Sequence, residues 1–133
     1  MNLINIETKD REELIDITHR VVLELNRNMW SDGLLFLYTP HTTTAITINE
    51  NADPSVQNDI SVFLSRLVPI SGYFTHMEGN ADAHIKSSII GCSAQIIVEN
   101  NAPVLGTWQG IFFCEFDGPR KRKLYLKFFK NIG

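Results

Sequence analysis

Pro40-His41-Thr42-Thr43-Thr44-Ala45-Ile46-Thr47-Ile48-Asn49-Glu50 is the stretch whose reading decides the architecture. Side chains alternate along a strand, so Thr43, Ala45, Thr47 and Asn49 share one face and Thr44, Ile46 and Ile48 the other. The second face is apolar enough to lie on a core. The first is small and polar, and suits a cavity wall or a subunit contact. Pro40, with its fixed φ, stiffens the approach to His41. A histidine held at a strand end can be aimed at a ligand; the plainer alternative is a solvated or capping residue.

Upstream, Leu34 to Thr39 is a short apolar run that reads as a buried strand, close enough to pair with the one that follows. Residues 2–7 alternate and form a first strand. Asp10, with Glu13 three residues on, makes a capping box and predicts a helix carrying the stripe Leu14, Ile17, Val21 and Leu25 to about Asn26. His19 falls on the flank of that stripe, as a surface residue. Downstream, Asp53-Pro54 starts a second helix with an acidic cap and a proline in its first turn. Val56, Ile60, Phe63, Leu64 and Leu67 form its apolar stripe, and Pro69 closes it. Ser71 to Gly79 reads as a loop. Asn80 caps a short helix that Gly91 ends. Ala94 to Glu99 is strand-like, Asn100-Asn101 suits a tight reversal, and Val104 to Thr107 begins a return strand. Ile111 to Phe116 is a further strand, broken by Asp117-Gly118-Pro119, and Leu124 to Phe129 is the last.

Strands that cluster in hairpins, instead of alternating singly with helices, indicate an α+β domain of mostly antiparallel sheet over residues 1–133, with two main helices and one short one. The aromatic last strands carry more apolar surface than two helices cover, so a second sheet or another subunit is expected over them.

The 133 residues, 44% hydrophobic and 20% charged, fit one soluble domain with its own core. A net charge of −3 argues against nucleic acid as a partner. No apolar run approaches the ~20 residues that span a bilayer, so no membrane partner is expected. No basic-then-apolar leader opens the chain. Cys92 and Cys114 form no Cys-x-x-Cys motif and are expected to stay reduced in a cytoplasmic setting.

His41, His76 and His84 lie on loops or element ends. Neutral imidazoles suit zinc, and three protein ligands with one open position is the plan of catalytic zinc sites. The alternative is three separate residues that cap, hydrogen-bond or face water. Glu50 and Asp82 are the nearest carboxylates, able to orient a ligand histidine or act as a general base; Asp82 also suits the first turn of a helix. Gly106-Thr107-Trp108-Gln109-Gly110 offers a flat ring and an amide on tight backbone, either as a clamp on a planar ligand or as a packed bend. Arg120-Lys121-Arg122-Lys123 is a basic loop that meets phosphate or is simply solvated.

Taken in order, His41-Thr42-Thr43-Thr44-Ala45, Asn49-Glu50, Asp53, Asp59, His76, Asn80-Ala81-Asp82-Ala83-His84-Ile85-Lys86, Gly91, Gly106-Thr107-Trp108-Gln109-Gly110-Ile111 and Glu115-Phe116-Asp117-Gly118-Pro119-Arg120 resemble the YjbQ family of secondary thiamine-phosphate synthase-like proteins over nearly the whole chain. The resemblance implies a β-sandwich-like α+β fold that assembles as a homotrimer about a three-fold axis. It also implies a small pocket where His41, His76 and His84 bind a metal, and a weak thiamine phosphate synthase activity. One departure stands out. Relatives often carry an acid directly after the middle histidine and a longer loop to the third; here Met77 follows His76 and the loop is short, which shifts weight to Glu50 and Asp82.

Two functional expectations follow. The first is a metal-dependent transferase. In it the three histidines hold a divalent ion, zinc by ligand chemistry or magnesium with a pyrophosphate substrate. Glu50 and Asp82 serve as base or supporting carboxylate, Trp108 and Gln109 line the pocket, and Lys86 and Arg120 meet phosphate. The reaction that the resemblance implies joins a hydroxymethylpyrimidine pyrophosphate to a thiazole phosphate. The second is a non-catalytic trimer that binds a small ligand or another protein.

Overall fold

Period-two alternation puts one apolar set of each strand inward, and two such sets facing each other make a sandwich. The computed structural model describes residues 1–72 and 74–132. In chain order it holds β1 (Asn2–Glu7), β2 (Glu13–Asp16), α1 (Thr18–Arg27), β3 (Gly33–Tyr38), β4 (Thr44–Glu50), α2 (Pro54–Leu67), α3 (Ala81–Ile90), β5 (Ser93–Glu99), β6 (Ala102–Pro103), β7 (Gln109–Glu115) and β8 (Lys121–Lys130). A five-stranded sheet has the order β1-β8-β3-β5-β6 and a three-stranded sheet the order β2-β7-β4. All neighbours are antiparallel. The α+β class with its three helices is as the sequence indicates.

Ile4, Ile6, Leu35, Leu37 and Leu124 of the large sheet meet Ile46, Ile111 and Phe113 of the small one, and Val21 and Leu25 of α1 join that core. On the other face of the small sheet, Ala45 and Cys114 pack with Leu64 of α2 and Ala83 of α3. Both faces of β4 are thus covered around Ala45 and Ile46. The small face expected to line a cavity is small because a helix lies on it, with alanine meeting alanine. Neither cysteine is bridged; Cys92 is exposed, and burial pushes the Cys114 thiol up to about 12.

Several local readings need correction. Glu13 does reach back, accepting from the Lys9 and Asp10 N–H groups at 2.6 and 2.9 Å, but it closes a turn and not a helix start. Leu14 and Ile15 then pair with Cys114 and Phe113 as a strand, and the helix begins only at Thr18. Leu34–Thr39 and Pro40–Glu50 do not pair: β3 joins β5 and β8, while β4 joins β7 in the other sheet. The return strand after Asn100-Asn101, both at positive φ, is the short β6 and not Val104–Thr107. In α2 only Leu64 of the stripe is fully buried, whereas Phe63 is 64% and Leu67 56% exposed. The Asp53 cap is as read, accepting from the Ser55 N–H at 2.9 Å.

The basic run is exposed at Arg120, Lys121 and Lys123, as a solvated turn would be, but not at Arg122. Lys121 opens β8, and Arg122 is buried. Its Nε and Nη2 donate to the two oxygens of Glu115 at 2.8 and 2.6 Å, joining the large sheet to the small one. The Thr8 hydroxyl and the Asp117 N–H complete that carboxylate at 2.8 and 3.0 Å. Arg122 Nη2 also donates to Thr43 Oγ1 at 2.9 Å. At the adjoining corner a Cβ on Gly118 would lie 2.3 Å from the Asp10 carbonyl oxygen, so only glycine fits.

Removing one partner of a buried ion pair leaves the other uncompensated, at a cost of ~3–5 kcal/mol. Glu115→Gln is expected to lower unfolding free energy by about that amount in urea titrations. Pairing it with Arg122→Met should recover a large part of the loss, and strict additivity of the two changes would contradict the coupling.

Candidate functional site

β3 ends at Tyr38, opposite Tyr125 of β8, so the Lys123 N–H projects beyond the end of its neighbour. His41 takes that place, its Nε2 accepting from Lys123 N–H at 2.9 Å. The turn before it is fixed by Thr39 and Thr44, whose hydroxyl oxygens are 2.7 Å apart, and by the Thr39 N–H donating to the Cys92 carbonyl at 2.9 Å. Burial lowers the His41 pKa, and the charges of Arg122 and Lys123 lower it further against Glu115. His41 is therefore neutral at pH 7, with its proton on Nδ1.

His84 is placed by α3, which is bound to β4 by Ser87 Oγ donating to the Thr44 carbonyl at 2.5 Å. Asn80 stands at the cap position, yet its amide is turned outward and donates to Asp117 Oδ2 at 2.8 Å. Its Oδ1 is a buried acceptor that has no partner among the described residues. The His76 and His84 rings stand edge to face with centres 5.1 Å apart. Glu78 Oε2 lies 3.9 Å from His76 Nε2, so a carboxylate does accompany this histidine, two residues on.

These groups meet at a cleft of about 350 Å³ lined by His41, His84, Glu78 and Asn80 together with Asp117, Arg120 and Arg122. Arg120 is exposed and donates to the Asp117 carbonyl and carboxylate at 2.9 and 3.1 Å, which holds its guanidinium at the rim. A second cleft of about 500 Å³ shares Pro40, His41, Thr42 and His84 with the first and extends toward Tyr38 and Cys92.

Asp82 and Lys86, one helical turn apart, do not face the cleft. They are buried together, 3.1 Å apart, with Glu12 also on the Lys86 ammonium and Arg11 on Asp82 at 2.9 and 3.2 Å. Burial pushes the Asp82 pKa up, but the Arg11 and Lys86 bonds together outweigh it and leave the carboxyl below its ordinary value. Glu50 pairs with Gln109 at the far end of β4 and β7. Six strand steps of ~3.3 Å put them ~20 Å from the His41 end. Trp108 is 62% exposed there, and Gln109 Oε1 accepts from the Gly106 N–H at 2.7 Å. Within one chain, then, His41, His84 and Arg120 come together and His76 meets only His84 of these, in an adjoining cleft, whereas Glu50, Trp108 and Gln109 stand apart and Asp82 and Lys86 are turned inward.

Two imidazoles on one tetrahedral ion, each bonded at ~2.0–2.1 Å, have ring centres ~5 Å apart. His76 and His84 fit that requirement. His41 fits only on releasing Lys123, because its unprotonated nitrogen is already an acceptor. Among the described residues no three histidine, cysteine, aspartate or glutamate side chains converge as a ready-made metal site.

The family model for "UPF0047 protein YjbQ-like" matches residues 2–131. The chain belongs to this family. Among YjbQ-like relatives, a UPF0047 protein of Methanocaldococcus jannaschii is 58% identical over 122 residues, covering 92% of this chain and 88% of that protein. The UPF0047 protein YugU of Bacillus subtilis is 48% identical over 128 residues, covering 96% and 97%. A crystal structure of a YjbQ/UPF0047 protein from Clostridium acetobutylicum superposes with a TM-score of 0.94 at 48% identity, covering 97% of this chain and all (100%) of that one.

In this YjbQ-like chain the sequence reading missed Glu78, Asn80, Asp117 and Arg122 as cleft residues. Asp117 was legible only as a strand breaker, and Arg122 only as part of a charge run. The opposite charges of Asp82 and Lys86 at i, i+4 were a signal that they satisfy each other.

Because the folded Asp82 pKa is depressed, its contribution to stability is complete above the unfolded value of ~3.9 and is lost as pH falls through the lower folded value. Asp82→Asn should cost about 3 kcal/mol at pH 7. The gap from the parent should close on acidification below pH ~4, read from denaturant midpoints across pH. A gap independent of pH would contradict the ion network.

Proposed function

We propose that the chain is a metal-dependent enzyme acting on a small phosphorylated molecule in the His41–His84 cleft. The observation that carries this reading is the meeting of a neutral His41, His84 and the rim guanidinium of Arg120 around one cleft of about 350 Å³, with His76 against His84 from the adjoining cleft that Phe74 and Ile85 also line. Arg120 reads the anion, since a planar guanidinium matches phosphate oxygens. Neutral His41 holds or moves a proton through Nδ1 while Lys123 keeps its ring in place. A divalent ion, zinc by the preference of imidazole donors and magnesium with a pyrophosphate substrate, would be held by His76 and His84, with His41 as third ligand only when it releases Lys123 and gives up its role as proton carrier; when bound the ion would polarise a substrate oxygen. The transfer of a hydroxymethylpyrimidine group from its pyrophosphate to a thiazole phosphate is the reaction class that the family resemblance suggests.

A second reading is a trimeric binding module without catalysis, favoured by exposed apolar residues. Ile111 to Phe116 contributes nothing to that surface, because the chain buries it entirely. Phe129 and Ile97 on the outer face of the large sheet are 53% and 56% exposed, as apolar as an intersubunit contact needs. Both readings share the homotrimer, so light scattering should give three times 15.1 kDa, and Phe129→Glu should shift the mass toward one chain. A parent protein that is cleanly monomeric would overturn the assembly.

Metal content separates the two readings. Protein purified without a histidine tag and dialysed at neutral pH should retain a divalent ion. His84→Ala, on the ordered helix, should abolish retention, and His76→Ala, on the loop, should weaken it. A parent free of metal even after loading with zinc would sink the enzyme reading.

A further inference from the structure

We infer that the metal site is completed between two copies of the chain: the Glu50–Trp108 end of one copy seats in the cleft beside His76 and His84 of the next, and its Glu50 carboxylate is the third ligand. This deepens the metal-site and homotrimer readings proposed above and rests on them.

The site is incomplete in one chain. His76 and His84 stand at the spacing that one ion requires, with ring centres 5.1 Å apart. His41 is engaged by the Lys123 N–H, and among the described residues no third histidine, cysteine, aspartate or glutamate converges with the pair. Beside the two rings a cleft of about 440 Å³ stands open, walled by Phe74, Ala81 and Ile85.

The far end of β4 and β7 has the opposite surplus. Trp108 is 62% exposed, and its side chain has no partner among the described residues. Its turn is nonetheless tightly bonded. The Asn51 N–H donates to the Trp108 carbonyl at 2.9 Å, the Gln109 N–H to the Gly106 carbonyl at 3.1 Å, and the Gly106 N–H to Gln109 Oε1 at 2.7 Å. A large ring held out on fixed backbone loses little freedom on docking, which suits it to anchor an interface. Glu50 stands opposite Gln109, and its carboxylate forms no hydrogen bond or ion pair among the described residues.

Charge fits the two ends to each other. Asp16, which accepts from Asn51 at 3.1 Å, and Asp53, the cap of α2, share the end with Glu50. None of the three meets a lysine or arginine among the described residues. The cleft end carries Arg120 at its rim, and the Lys123 ammonium close enough to lower the His41 pKa. Of the acids there, Asp117 is bonded to Arg120 and Asn80, and Glu78 is the carboxylate that the same chain offers His76, at 3.9 Å. The two ends lie ~20 Å apart along the small sheet, so a chain does not bring its own Glu50 to its own His84. A contact between two unlike patches repeats from copy to copy and closes as a ring when the rotation permits. With Glu50 as third ligand, His41 stays on Lys123 and keeps its proton-carrying role.

The test combines two deficient variants and reads zinc bound per chain after loading and dialysis. Glu50→Gln and His84→Ala, each alone, should lose retention. Co-expressed in equal amounts, they assemble into mixed rings. There the His84 of a Glu50→Gln chain meets the Glu50 of a His84→Ala chain at roughly one contact in four, so bound zinc should return to about a quarter of the parent value. A site built within one chain regains none, because neither variant holds both groups. Trp108 gives a readout that needs no metal. In a Trp30→Phe chain its fluorescence should be shielded from iodide in the assembled protein, although the single chain leaves the ring exposed. Zinc retained in full by Glu50→Gln, no zinc regained in the mixed rings, or Trp108 open to iodide in the assembly overturns the shared site while leaving the His76–His84 pair in place. A parent that takes up no zinc overturns the metal site and this inference with it.

Discussion

The carboxylate of Glu115 is the point on which the two sheets and the cleft depend. It ends the central strand of the small sheet in full burial and receives Arg122 from the large sheet at two points. A buried pair of this kind is stable only when each oxygen is saturated, because dehydration of the charges is otherwise uncompensated. Here the Thr8 hydroxyl and the Asp117 N–H complete the shell, so β1, β7, β8 and the corner after β7 are bound to one group. The same corner carries Asp117 and Arg120, and the Arg122 guanidinium reaches across to Thr43 beside His41. The cleft floor is therefore an outgrowth of the sandwich joint. A change that loosens the joint moves Arg120 and His41 together.

The two histidines that share the cleft have different supports. His41 substitutes for a missing strand residue and is tethered by a backbone N–H, which settles its tautomer. His84 rides on a helix locked to β4 and stands edge to face with the His76 ring. One ring is thus chemically defined by the fold, while the nitrogens of the other bond to no side chain or backbone group among the described residues.

Legibility in the sequence followed the range of the interactions. Elements set by local chemistry were readable: the Asp53-Pro54 helix start, the positive-φ Asn100-Asn101 turn, the alternation of β8. Local chemistry misled at Glu13, where a genuine side-chain-to-backbone return was read as a helix cap; pairing of Leu14 and Ile15 with β7 prevailed over the helical stripe. At the site, His41 and His84 were named from position, and the fold brings them to one cleft. The inward turn of Asp82 and Lys86 depends on Arg11 and Glu12, more than seventy positions away in sequence, and no spacing rule reaches that far. Glu50 and Trp108 seemed near because they follow His41 or lie in an unusual glycine-flanked segment, yet a strand carries its two ends apart.

Two charged pairs lie inside this small domain: Glu115 with Arg122, and Asp82 with Lys86, the second covered by the partly exposed Arg11 and Glu12. Their energetics run opposite to those of the apolar core when the temperature changes. Hydration of ions becomes less favourable on heating, so the penalty for holding these charges away from water shrinks, while hydrophobic stabilisation per unit area levels off. Warming therefore shifts the balance of cohesion from the leucine and isoleucine layers toward the ionic joints. Those joints sit under the cleft and behind α3, so the walls of the cleft are the part of the molecule whose cohesion is best preserved in heat.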